Sequence, residues 1–263
     1  MVIKADTTLS GANTYTGGTT VQNNATLTQG VATTLTGATI SSGATGTGDI
    51  TLGDAGAPTP TSGTYNMNGY STLSQNIRIN GTAAIYSGST TVNQTISGLI
   101  SDGNNTGQGL TFSPGVSGKT LEIIGNNTYT GATTIRGNGA VLISNANALG
   151  TGTAGTTLGA SGYAATLKLK GDITVNEAIT MAAGSTSLTF GNLSGNNTLT
   201  AAYTQTTTGS TITSDAGTLT FAPATGNAIN DGSATLTFTG VGNIAVNGPL
   251  IGGTGLISKT EIG

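Results

Sequence analysis

Short runs in which apolar and polar residues alternate recur along the whole chain: Thr26-Leu-Thr28, Ile77-Arg-Ile79, Leu121-Glu-Ile123, Leu167-Lys-Leu169, Ile173-Thr-Val175, Leu219-Thr-Phe221, Leu236-Thr-Phe238 and Ile244-Ala-Val246. A period of two places Leu, Ile and Phe on one face and Thr or Lys on the other, which predicts half-buried β-strands. Gly, Asn and Ser separate the runs and predict turns between them. Gly and β-branched residues interrupt every window long enough for a helix. The best helical stretch, Asn176-Glu-Ala-Ile-Thr-Met-Ala-Ala183, predicts one or two turns at most.

An all-β chain of this kind has two solutions, an antiparallel sandwich or a parallel solenoid. Sandwiches carry hairpin signals and aromatic cores, whereas this chain has four Phe and seven Tyr and a core to be built from Leu, Ile, Val and Ala. A slim solenoid fits better. With roughly 20 to 22 residues per coil and about 4.8 Å per strand spacing, some twelve coils would make a rod on the order of 55 to 60 Å long. No linker or composition shift divides residues 1–263, which predicts a single domain.

One block occurs twice. Gly11-Ala-Asn-Thr-Tyr-Thr-Gly-Gly-Thr-Thr-Val21 and Gly125-Asn-Asn-Thr-Tyr-Thr-Gly-Ala-Thr-Thr-Ile135 are identical at eight of eleven positions. Related repeat blocks lie near residues 8–53 and 120–159. Glycine permits positive φ at a coil corner, Asn bonds backbone groups in turns, and Tyr covers apolar area with its hydroxyl in water. On these grounds Asn13, Tyr15, Gly17, Asn127, Tyr129 and Gly131 are expected to be structural repeat positions.

The block, preceded by an apolar strand and followed by Thr-Thr-Val/Ile, resembles the autotransporter-associated β-strand repeat of bacterial surface proteins. Asn145-Ala-Asn-Ala-Leu-Gly-Thr-Gly152 resembles the family's next turn. After the first copy only the looser Gly43-Ala-Thr-Gly-Thr-Gly-Asp-Ile-Thr-Leu52 follows, about ten residues further on. The resemblance covers half of the chain and leaves residues 54–95 and 176–235 matched only in composition. It implies a right-handed parallel β-helix, located extracellularly or on the cell surface, serving as a stalk or an adhesive passenger. It does not imply catalysis.

Composition narrows the chemistry. Charged residues make up 6% of the chain, and there is no Cys, His or Trp. Absence of histidine removes the commonest general base and metal ligand. The net charge of -3 is scattered singly, so no basic patch offers a nucleic-acid site. Lys168 and Lys170, the one local basic pair, suit a solvated strand face. No run reaches the roughly 18 apolar residues of a membrane span. No cofactor is expected.

Several motifs in the sequence have plainer readings. Gly150-Thr-Gly-Thr-Ala-Gly155 with Asp172 fits the dinucleotide fingerprint, but the residues after it make a poor helix. Glycoside hydrolysis commonly needs two facing carboxylates, and the ten acids form no tight cluster in sequence. Asp102-Gly-Asn-Asn105, or Asp49 with Asp54, could hold calcium but match no known loop. Asn-x-Ser/Thr sequons at Asn24, Asn80, Asn93, Asn104, Asn126, Asn192 and Asn196 indicate exposed turns. Thr-Leu-Thr at 26, 198, 218 and 235 raises an ice- or glycan-binding alternative, but the triplets are irregularly spaced.

The ends carry an expectation of their own. Open solenoid ends invite strand pairing. The C-terminal Val246-Asn-Gly-Pro-Leu-Ile-Gly-Gly-Thr-Gly-Leu-Ile-Ser-Lys-Thr-Glu-Ile-Gly263 resembles the lead-in that precedes the second block and that the first block lacks. The reading is a non-catalytic surface rod that associates head to tail into a fibre or forms part of a longer passenger stalk, with Val2, Ile3, Leu9, Leu256, Ile257 and Ile262 as candidate end contacts. The alternative is an adhesin that binds a glycan or host protein through a Thr/Asn-rich face.

Overall fold

The computed structural model describes residues 1–54, 56, 60–151, 154–251 and 256–259. It is a β-solenoid, with no helix among the described residues and hence none long and apolar enough to cross a membrane. Every strand pairing is parallel except that of the hairpin Thr34–Thr36 with Thr39–Ser42. The longest sheet stacks eleven strands, one per coil, from Thr7–Leu9 through Leu110–Pro114 and Ile179–Met181 to Leu250–Ile251. We refer to it as the second face. Its middle strands begin at residues 110, 133, 156 and 179, a spacing of 23 residues. The coils are therefore slightly longer and slightly fewer than the twelve expected from sequence, because corner turns take up more chain than the strand runs suggest.

The other two faces are interrupted in an orderly way. The third face has nine strands, from Thr72–Leu73 to Ile257–Lys259. The first face is split into five strands, Val2–Ile3 to Ile100–Asp102, and four, Thr174–Val175 to Asn243–Val246. Each gap is two levels deep and is filled by one copy of the duplicated block with the turn that follows it. On the first face, Thr128 N–H donates to Ile100 O at 2.9 Å and Thr151 N–H to Tyr129 O at 3.1 Å. On the third face, the bridge between Asn13 and Gly43 and the bond from Gln75 Nε2 to Gly46 O at 3.3 Å place the first copy below Thr72–Leu73. Every face thus has eleven levels.

The two copies consequently sit on different faces. Thr19–Val21, which ends the first block, belongs to the first face, whereas the equivalent Thr133–Ile135 belongs to the second. Between copies the chain travels one face beyond a whole number of coils.

All eight alternating runs fall on strands, except that Ile173 just precedes Thr174–Val175, and their apolar residues are buried or, at Ile173, Phe238, Ile244 and Val246, partly buried against the core. The core also contains aromatics that the sequence reading left out of it. Tyr65, Tyr129, Tyr203, Phe112, Phe190 and Phe221 are among the largest fully buried side chains. Phe190, Tyr203 and Phe221 form a three-ring cluster with centroids 5.9 to 6.0 Å apart, a separation at which tilted and edge-to-face rings attract. Their inward rings stack along the axis with the aliphatic positions, so the prism has room for them. The weakly helical stretch 176–183 is extended instead, as the strand Ile179–Met181. Burying both Ile179 and Met181 completely requires side chains two residues apart on the same side.

Candidate functional site

The duplicated block builds a clasp between adjacent coils. In the second copy Asn127 is buried, and its Nδ2 donates to Ala148 O at 2.6 Å. The Tyr129 and Thr133 hydroxyls lie 2.6 Å apart, and Thr133 donates to Leu149 O at 3.2 Å. The first copy repeats each bond: Asn13 Nδ2 to Ala44 O at 2.8 Å, Tyr15 to Thr19 at 2.7 Å, and Thr19 to Thr45 O at 3.2 Å. In both, the tyrosine ring lies against a glycine in the positive-φ region, Gly46 at 71° and Gly150 at 91°. A Cβ there would stand 2.8 Å and 3.0 Å from the ring carbons. The clasp is thus Asn-x-Tyr-x-x-x-Thr closing on Ala-x-Gly-Thr.

The closing turn follows Asn127 by 21 residues and Asn13 by 31. The antiparallel hairpin of Thr34–Thr36 with Thr39–Ser42 accounts for nearly all of the extra ten, which is why the first copy's turn looks displaced in the sequence.

Two physical roles differ from the sequence reading. The block's own glycines, Gly17 and Gly131, are not in the positive-φ region. Gly131 is required by close approach, since a Cβ would meet Gln108 O at 1.9 Å, whereas Gly17 has nothing within 4 Å. The Tyr129 hydroxyl is not in water but buried against Thr133, and burial pushes it well above the ordinary tyrosine range. Tyr15, at the edge of the stack, is only half-buried.

One position separates the copies chemically. Where the second has buried Leu149, the first has fully buried Thr45, whose Oγ1 has no hydrogen-bond partner. An unpaired buried hydroxyl is unfavourable, so Thr45→Val is expected to raise stability by about 1 kcal/mol. The midpoint of urea unfolding checks this.

We found no matching protein-family model, curated protein or solved structure. Function is therefore sought in the surfaces.

The second face carries a column of half-buried threonines. Thr111, Thr134, Thr157, Thr180 and Thr204 are successive register partners, continued through Ala84 to Thr64 and Thr26. A second column on the third face joins Thr166, Thr189, Thr211 and Thr237. The Thr-Leu-Thr triplets fall on all three faces and do not make one ladder. The signal that finds the main column is a Thr flanked by inward residues every 23 positions.

The acidic residues are dispersed into structural contacts. Asp49 pairs with Arg78 at 2.8 Å, Asp215 with Lys168 at 2.5 Å and Glu122 with Lys170 at 2.7 Å. The two basic residues of the local pair are thus both neutralised by carboxylates. Asp102 accepts bonds from Thr130 N and Oγ1 at 3.2 and 2.7 Å, and Asp172 from Asn196 N at 2.7 Å. No group of three metal-ligating side chains occurs among the described residues. A cleft of about 500 Å³ between the hairpin and the third face, lined by residues including Leu35, Ile40, Thr47 and Ser97, has no carboxylate in its wall.

Gly150, the first glycine of the dinucleotide-like motif, is the clasp turn, and a strand, Thr156–Leu158, follows where a helix N-terminus would be needed. Of the sequons, Asn192 is fully buried, its Nδ2 donating to Ala216 O at 2.6 Å, and Asn80 is also buried. Neither is the exposed turn expected, because both side chains satisfy backbone groups inside a corner.

Glu177 is a buried carboxyl that accepts from Thr156 Oγ1 at 2.7 Å. Burial pushes it above its ordinary value of 4.5, and the Thr156 bond partly offsets this. A raised folded-state value means that the folded chain holds the proton more tightly. Its stabilisation is full below the unfolded value and is lost as pH rises through the folded one. Glu177→Gln is therefore expected to match the parent's melting temperature at pH 3 and to exceed it at pH 8, as followed by circular dichroism.

Proposed function

We propose that this chain is a non-catalytic structural rod of the bacterial cell surface or extracellular matrix, associating end to end into a fibre or forming part of a longer stalk. The carrying observation is one apolar core running through eleven parallel levels, whose first and last strands each pair on one side only among the described residues. Exposed apolar side chains are present at both ends, Met1 and Val2 at 45% and 57% exposure and Leu256 and Ile257 at 73% and 52%, as they also are along the flanks at Leu35, Leu99, Ile124 and Val241. Leu9 is half-buried, Ile3 is already covered by its own molecule at 7%, and Ile262 lies outside the described residues. The likeness of the block to autotransporter-associated repeats supports display outside the cell, and the dispersed acids support a role without catalysis. Electron microscopy and sedimentation of the purified chain test the reading. Concentration-dependent filaments of rod width are expected, and isolated short rods at every concentration would sink it.

The threonine column favours a second reading, an adhesin that meets a glycan or host protein through the second face. Hydroxyls at one strand spacing of about 4.8 Å present a regular row of donors and acceptors. Saturable glycan binding that is lost in Thr134→Lys and Thr157→Lys is the expected result. Undiminished binding in both variants would remove the column from consideration.

A further inference from the structure

The two copies of the clasp differ in what lies beneath them. Under the second copy runs Ile100–Asp102, preceded by Gly98 and Leu99. Ile100 N–H donates to Asn127 Oδ1 at 2.8 Å, and Thr128 N–H donates to Ile100 O at 2.9 Å. These bonds place Ile100 opposite Asn127 and Ser101 opposite Thr128. Thr130 adds its two bonds to Asp102, and Gly125 lies so close that a Cβ would be 2.7 Å from Gly98 O. Under the first copy no strand lies among the described residues. Asn13 still donates through Nδ2 to Gly11 O and Ala44 O, but nothing among the described residues donates to its Oδ1.

A counterpart of the Ile100–Asp102 strand exists at the other end of the described molecule. Gly98-Leu99-Ile100-Ser101 recurs as Gly255-Leu256-Ile257-Ser258, and nowhere else in the sequence. Ile257–Lys259 is the last described strand of the third face, paired with Leu236–Thr239 on one side and with no strand among the described residues on the other. The third face is also the one that carries the first copy of the clasp. The segment able to complete Asn13 therefore ends the same face of the prism at the opposite end, with Leu256 and Ile257 exposed.

We infer that a second copy of this chain docks coaxially, its Ile257–Lys259 strand running in parallel beneath residues 13–15 with Ile257 opposite Asn13 and Ser258 opposite Thr14. This rests on the rod reading and deepens it by giving the joint a register. Ile257 N–H donates to Asn13 Oδ1, and Thr14 N–H donates to Ile257 C=O. Because the faces continue without rotation, Val2–Ile3 and Thr7–Leu9 meet Asn243–Val246 and Leu250–Ile251 on the other two faces. Lys259 stands where Asp102 does in the interior level, so the carboxylate bonds of Thr130 have no counterpart at Thr16. The joint is accordingly weaker than an interior level and reversible.

The chain has no cysteine, so engineered pairs report on the joint without background. Thr14→Cys with Ser258→Cys places two thiols on adjacent parallel strands about 4.8 Å apart, inside the Cα range of a disulfide. Thr14 is exposed and Ser258 half-buried, so the double variant folds like the parent. Under mild oxidation it is expected to give a ladder of dimers, trimers and longer species that reducing agent collapses. Thr16→Cys with Ser258→Cys, two residues out of register, is expected to give little. Equal or greater cross-linking of that second pair, or linking through Ser258→Cys alone, overturns the register while filaments seen by sedimentation leave the rod reading standing. Absence of any association of the parent chain defeats both. Asn13→Ala is expected to weaken association roughly tenfold through the lost bond, and unchanged association would overturn the inference.

Discussion

Gly131→Ala is expected to cost more than about 4 kcal/mol, at the extreme of single-residue effects, while Gly17→Ala, the same position of the other copy, stays within about 0.5 kcal/mol. The new methyl at 131 would lie 1.9 Å from the Gln108 carbonyl oxygen, a backbone atom of the coil below that cannot swing aside. Relief requires the two coils to separate where Thr133–Ile135 pairs with Leu110–Pro114, and each lost ladder bond leaves buried polar groups unpaired. At 17 nothing lies within 4 Å, and the backbone is not in the region reserved for glycine. Urea unfolding of the two variants side by side gives the comparison. In a solenoid each coil contacts only its neighbours, so hydrogen exchange should show the loss at 131 centred on residues 108–135. Equal effects at both positions would mean that the copies share an environment, contrary to their placement.

Tyr129→Ala is expected to cost about 3 to 5 kcal/mol, in line with removing a large buried ring, and Tyr129→Phe only about 1 kcal/mol. The ring fills the space beneath Gly150, whose lack of a side chain admits it. Truncation leaves a cavity walled by backbone that is held by its own hydrogen bonds and cannot collapse. In the Phe variant Thr133 Oγ1 still donates to Leu149 O, so only one bond is lost. Tyr15→Ala should cost less than Tyr129→Ala, because Tyr15 is half-exposed and its removal empties a site already open to water. Thermal unfolding of the three variants checks the order, and a Phe variant as damaged as the Ala variant would shift the emphasis from packing to the hydroxyl.

The strands were legible because an inward residue on either side of an outward one is a local pattern that any stacked sheet must satisfy. Leu167, Leu169, Leu219 and Phe221 could be placed inside without knowing their neighbours, and each is fully buried. The duplicated block was legible as a repeat, yet its chemistry was not. Asn127 and Tyr129 meet Ala148 and Gly150 across a coil, a contact 21 residues away in one copy and 31 in the other, so the hairpin insertion hid the shared partner. The threonine column went unseen for a similar reason. The eye is drawn to Thr-Leu-Thr triplets, whereas the aligned positions are single threonines recurring at 111, 134, 157 and 180.

By itself the sequence determined that this chain is all β, that its strands are short and half-buried, and that one block is used twice. These follow from side-chain alternation and from residues that cannot continue a helix, both local matters. Only the tertiary structure decided that the two blocks occupy different faces, that Gly131 is indispensable where Gly17 is free, and that Ile257–Lys259 ends the face on which Asn13 Oδ1 has no donor among the described residues. The physical reason is the variable corner. A strand fixes which side chains point inward, but the length of each turn fixes how far round the axis the chain has travelled, and that sum is settled only when the coils stack.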